Sequence, residues 1–166
     1  MTARGDNLSL EHVYLQYIKP VRIVAYGILK NESDAEDVAH DVFLTYFQMK
    51  EPERIRDPKN YLLKMARNKA LEYMRRREHE VLTDDFTTFT SSPADGSEAS
   101  LVARVGCEIA KLPIVERQVF LMHVNAKMGF GEISRVMELS VPSVYRRYRK
   151  ALKILQQALK GSKNYE

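Results

Sequence analysis

The 166 residues carry 45% hydrophobic and 29% charged side chains, room for one domain or two small ones. With 6 prolines and 7 glycines, turn punctuation is too sparse for an all-β fold and favours long helices. The lone cysteine, Cys107, excludes an intramolecular disulfide and points to a reducing cytoplasm. No apolar run suits a signal peptide or a membrane span, so no membrane insertion is expected.

The net charge is +4, and its distribution says more than its size. Residues 1–60 sum to −2, 61–78 to +4, 79–100 to −5, 101–140 to +1 and 141–166 to +6. Two basic blocks therefore flank an acidic stretch.

A first helix is predicted over roughly 8–30 from the spacing of Leu10, Val13, Tyr14, Tyr17, Ile18, Val21, Val24, Ala25 and Ile28. Pro20 should kink or break it. A second begins at Ser33-Asp34-Ala35-Glu36, a capping-box pattern. Ala35, Val38, Ala39, Val42, Phe43, Tyr46 and Phe47 form its apolar face, with Asp34, Asp37 and Asp41 as an acidic stripe opposite. That stripe suits a basic partner or an ordinary solvated face. Glu51-Pro52 closes the element.

Asp57-Pro58 reads as an N-cap followed by proline at the first helical position. The third helix runs to about residue 78, with Tyr61, Leu62, Met65, Ala66 and Tyr73 as core contacts. Lys64, Arg67, Asn68 and Arg75 share one arc of about 100°, able to hold a nucleic-acid backbone. Tyr61 and Tyr73 can equally pack a core or stack bases. Residues 79–100 contain no Lys or Arg, and their Thr, Ser, Asp, Gly and Pro read as a linker.

After the linker a helix reaches Leu112 and stops at Pro113, with Cys107 on its apolar face as a core residue. Another covers 114–124. A short helix follows Gly129-Phe130-Gly131, and the turn Glu138-Leu139-Ser140 leads into a last long helix. With residue 143 as zero, Val144, Tyr148, Ala151, Leu152, Leu155 and Leu159 fall between about 80° and 180°. Ser143, Arg146, Arg147 and Lys150 fall between about 300° and 40°. A helix–turn–helix divides its second helix in this way: one side packs, and the N-terminal half of the other reaches base edges. Arginine suits that task because its planar fork bonds guanine or phosphate bidentately.

Catalytic readings find little support. His12, His40, His79 and His123 have no partner at zinc-ligand spacing. Gly129-Phe130-Gly131 lacks the Lys-Ser or Lys-Thr of a phosphate loop, and no GxSxG element exists. Neither a metal nor another cofactor is expected, and the protein does not read as an enzyme.

The segment Asn31-Glu32-Ser33-Asp34-Ala35-Glu36-Asp37-Val38-Ala39-His40-Asp41-Val42-Phe43 resembles region 2 of extracytoplasmic-function sigma factors, members of the sigma-70 family. So do Tyr61-Leu62-Leu63-Lys64-Met65-Ala66-Arg67-Asn68 and the basic Arg75-Arg76-Arg77. Leu112-Pro113-Ile114-Val115-Glu116-Arg117-Gln118-Val119-Phe120 resembles the start of region 4. Glu132-Ile133-Ser134 and Ser140-Val141-Pro142-Ser143-Val144 resemble its helix–turn–helix.

The resemblance implies an all-α fold of two small helical domains, 7–78 and 98–161, joined by a flexible acidic linker, 79–97. It implies an alternative sigma factor that binds core RNA polymerase and recognises the −10 and −35 elements of promoter DNA. Asp34, Asp37 and Asp41 would dock on polymerase. Lys64, Arg67, Asn68 and Arg75 would serve the −10 element, and Ser143, Arg146, Arg147 and Lys150 the −35 element. An anti-sigma factor is implied by the resemblance alone.

There are departures from the family pattern. Tyr61 stands for the usual Trp, His40 for Gln, Ser134 for Ala, and Glu138 for a small or glycine-like residue. They leave the base preference open. Two other readings compete: a dimeric helix–turn–helix regulator, for which residues 98–160 would suffice, and a helical adaptor without nucleic acid.

Overall fold

The computed structural model describes residues 3–81 and 98–161. Among the described residues there are seven α-helices and no strand. They are α1 (Ala3–Leu29), α2 (Glu32–Phe47), α3 (Pro58–Val81), α4 (Glu98–Lys111), α5 (Ile114–Val124), α6 (Phe130–Met137) and α7 (Val141–Gly161). A 3-10 turn, Pro52–Arg54, precedes α3.

α1 continues through Pro20 instead of breaking there. Proline removes one backbone donor, but Val21, Val24, Ala25 and Ile28 are all buried and hold the following turns against the core. α1 ends at Lys30, whose φ of 56° closes the last turn through its N–H to Tyr26 O at 2.8 Å. α2 starts at Glu32, one residue before the Ser33 box. Its N-cap is Asn31, whose side chain accepts the Asp34 N–H at 3.0 Å. α3 opens as expected: Asp57 accepts the Asn60 N–H at 3.1 Å, and Pro58 takes the first position. It runs three residues past the predicted end of the first domain. The rest of the expected linker, 82–97, lies outside the described residues.

The N-terminal half packs α1, α2 and α3 as a three-helix unit. Ala35 and Ala39 on α2, with Ala66 and Ala70 on α3, are buried four residues apart and let the helices approach closely. Leu62 and Leu63 fill the α3 side of the core, whereas Tyr61 is 37% exposed and Met65 and Tyr73 are half-buried. In the C-terminal half, α6 and α7 pack on α5 through Val119, Met122, Ile133, Val136, Met137 and Val144. Leu112, Phe120, Leu121, Ala151 and Leu155 join α4, α5 and α7 in a second cluster.

The halves are not separate beads. One apolar core runs through both, because α1 lies on α5 and α3 on α6. Gly27 is buried where α1 meets α5, facing Leu121 and Gln118. Arg117 reaches out of α5 to donate to Gly27 O at 2.6 Å and to Leu112 O at 2.8 Å. Cys107, expected in the core, is exposed. α4 packs mainly on α7, so one face of this amphipathic helix is left uncovered, and Leu101 and Val102 are exposed as well.

Candidate nucleic-acid interface

α6, the turn at 138–140 and α7 form the helix–turn–helix. Its corner is built from local bonds. Ser134 Oγ donates to Leu139 O at 2.5 Å, and Leu139 N–H donates to Ser134 O at 3.1 Å. Glu138 takes the left-handed conformation at the corner, with φ 56° and ψ 40°. Ser140 Oγ then accepts the Ser143 N–H at 3.3 Å, capping α7. Ser134, a departure from the family pattern, thus earns its place by closing the turn.

An aromatic group fixes the angle between the helices. His123 of α5 stacks on Phe130 of α6 at 4.5 Å and meets Tyr148 of α7 edge-on at 4.7 Å. Its Nδ1 lies 2.8 Å from Met128 O. His123 is therefore a structural element of the corner, a role that its isolation in the sequence conceals.

The two sides of α7 separate as the periodicity predicts. Val144, Ala151 and Leu155 are buried, while Arg146 and Lys150 face solvent and Ser143 and Arg147 sit half-covered beside them. The cations are not equivalent. Arg147 Nη1 and Lys150 Nζ both reach Glu116 Oε1, at 2.8 and 3.2 Å. Glu116 is only 1% exposed. Burial alone would raise its carboxyl pKa. The hydrogen bond from Arg147, its own backbone bond and Lys150 together outweigh that and hold it below the usual carboxylate value. Among the described residues no ion pair involves Arg146.

The basic arc of α3 lies beside α6. Lys64 Nζ is 3.9 Å from Glu138 Oε1, and Lys59 Nζ is 3.2 Å from Glu132 Oε1. Arg67 is half-buried with its Nε unpartnered, and Asn68 and Arg75 are exposed. Asn68 and Arg75 are thus open to solvent, while Lys64 is turned toward the other half of the molecule.

On α2 the acidic stripe divides. Asp37 and Asp41 are exposed. Asp34, placed by the sequence pattern on the same outward stripe, is instead 7% exposed. Its carboxylate accepts from the Tyr73 hydroxyl at 3.1 Å and pairs with Arg77. Arg77 also lies over the Tyr73 ring at 5.7 Å. The reason is tertiary: the C-terminal turns of α3 fold back over the first turn of α2. Burial, then the bond to Asp34, raises the Tyr73 pKa.

Comparisons with known proteins agree with this layout. Residues 13–80 match the family model for sigma-70 region 2, and residues 103–155 that for sigma-70 region 4. The ECF RNA polymerase sigma factor SigM of Bacillus subtilis (strain 168) is 25% identical over 158 residues, covering 89% of this chain and 95% of SigM. Two solved structures share the fold. One is the sigma factor RpoE in complex with the anti-sigma factor NepR from Bartonella quintana, with a TM-score of 0.74 and 16% identity over 92% of this chain and 97% of that one. The other is CnrH in complex with the cytosolic domain of CnrY, with a TM-score of 0.66 and 21% identity over 96% of this chain and 93% of that one. With both region models in order along the chain and a full-length relative of the same kind, the chain belongs to the sigma-70 family, in its extracytoplasmic-function group.

Proposed function

We propose that this sigma factor directs core RNA polymerase to a specific class of promoters, with α7 reading the −35 element and α3 serving the −10 element. The observation that carries the reading is the partition of α7. A buried apolar stripe seats it on α5 and α6, and Ser143, Arg146, Arg147 and Lys150 crowd its opposite side. In a helix–turn–helix that side enters the major groove with its N-terminal turns first. On α3, Lys64, Arg67, Asn68 and Arg75 provide cations and an amide for a DNA backbone and an unstacked base. Engaging DNA there exchanges the Glu138 carboxylate beside Lys64 for a phosphate.

The polymerase-docking face is the exposed side of α2, where Asp37 and Asp41 offer charge to a basic partner. Asp34, bonded to Tyr73 and Arg77, braces that face from behind. Both solved relatives are complexes, one of them with a named anti-sigma factor. A protein of that kind is the third partner proposed for this chain.

Two variants in one assay test the division of labour. Arg146→Ala should weaken promoter-dependent initiation by about 1–3 kcal/mol if it contacts a base, with polymerase binding intact. An Asp37→Ala/Asp41→Ala double variant should lose co-elution with core polymerase on a sizing column. Loss of co-elution in Arg146→Ala, with promoter use intact, would overturn the assignment.

A further inference from the structure

We infer that Glu116 is a positioning residue for DNA reading: its buried carboxylate fixes Arg147 and Lys150 in register on the polar side of α7. The inference rests on α7 being the −35 helix. Glu116 sits in the first turn of α5, where any acidic residue gains from the helix N-terminus. That gain does not require burial, because an exposed glutamate would obtain it too. Burying a carboxylate is costly unless its partners are well placed. Here the side-chain partners are two cations from another helix, 31 and 34 residues away, on one oxygen.

The consequence for recognition follows from side-chain freedom. Unanchored, the long Arg and Lys side chains sample many rotamers and act as mobile positive charge. Anchored, they present fixed donors, which bidentate reading of a base edge needs. The same carboxylate also cancels part of their charge. Glu116 therefore trades general attraction to DNA for geometry. Removing its charge should move the two properties in opposite directions: sequence discrimination falls while general affinity and salt sensitivity rise. A merely structural glutamate would lower both together.

The test uses the full chain bound to core polymerase and a duplex library randomised across the −35 hexamer. Glu116→Gln keeps the size and an acceptor but removes the charge. It should flatten the selected hexamer, with roughly tenfold less preference at the positions read by Arg147 or Lys150. On a random-sequence duplex, the variant chain alone should bind more tightly, with a salt slope steeper by about 1. In an Arg147→Ala/Lys150→Ala background the substitution should add nothing to the loss of preference. If Arg147→Ala flattens the selection while Glu116→Gln leaves it sharp, the inference is overturned and the −35 reading stands. If neither change alters the selection, the −35 reading itself fails. Should Glu116→Gln not fold by circular dichroism, Glu116→Met replaces it as an apolar residue of similar volume. Failure of both to fold would show a structural role and overturn the inference.

Discussion

Replacing Arg117, a residue only 4% exposed, by methionine deletes its guanidinium while leaving an apolar chain of similar reach. The guanidinium serves three carbonyls: Gly27 O at 2.6 Å, Leu112 O at 2.8 Å and Ala110 O at 3.2 Å. Gly27 lies in the last turn of α1, and Ala110 and Leu112 lie at the end of α4, where helices run out of their own donors. A buried acceptor stripped of its donor costs about 1–3 kcal/mol. The Ala110 bond is long and part-buried, so water replaces it at little cost. The substitution also removes the cost of burying the guanidinium, the same burial that lowers its pKa. Two orphaned carbonyls minus that recovery leave a loss of about 3 kcal/mol. That is a large share of the roughly 5–15 kcal/mol typical of a domain.

The assay is urea unfolding followed by circular dichroism. The parent should unfold in one transition, because both halves share a core. The variant midpoint should fall by about 1–2 M at an m-value near 2 kcal/mol/M. Arg117→Lys should recover only part of the loss, since one ammonium does not span carbonyls on two helices. A shift under about 0.3 M with an unchanged m-value would refute the reasoning, because Arg117 would then be packing and not bonding.

Gly27→Ala should be tolerated, because the new Cβ would meet Leu121 Cδ1 at 3.5 Å and Gln118 at 3.6 Å, ordinary contact distances. Helix propensity then adds up to about 1 kcal/mol, read as a rise of about 2–4 °C in Tm; a fall would mean that α1 and α5 have no room for a methyl group. Glu138→Gly should relieve the left-handed strain at φ 56°, for a net gain of about 0.5 kcal/mol after glycine's greater unfolded freedom. A loss of that size in the same melt would show that the exposed Lys64 pair outweighs the strain. Glu116 sets a pH dependence. Its folded pKa is depressed below 4.5, so its contribution is full above that value and is lost as pH falls through the folded one. Urea midpoints of the parent and Glu116→Gln should therefore converge as the pH falls below 4.5; parallel curves would count against a paired carboxylate.

Features governed by neighbours within one or two turns were readable in the sequence. The stripe of α7, the Asp57-Pro58 start of α3 and the turn at Glu138-Leu139-Ser140 all depend on residues within about four positions, and the structure has them. What the sequence hid are long-range partners. Asp34 has the spacing of an outward carboxylate, and it is Tyr73 and Arg77, 39 and 43 residues on, that turn it inward. Cys107 lies on an apolar face, but a face counts as core only when another helix covers it. Pro20 breaks helices that nothing else holds, and here four buried side chains hold the turns after it.

Glu116 and Arg117 join these cases and explain why the candidate site was only partly readable. Both stand in a segment that marks the family, yet their charges point away from each other: one into α7, the other into α1 and α4. A charged pair adjacent in sequence suggests a solvated surface. Opposite sides of a helix packed on several neighbours make it two buried anchors, one holding Arg147 and Lys150 of α7 and the other joining the halves. In the proposed reading of α7, exposed Arg146 marks where DNA is met, while the buried glutamate sets how exactingly Arg147 and Lys150 can read it.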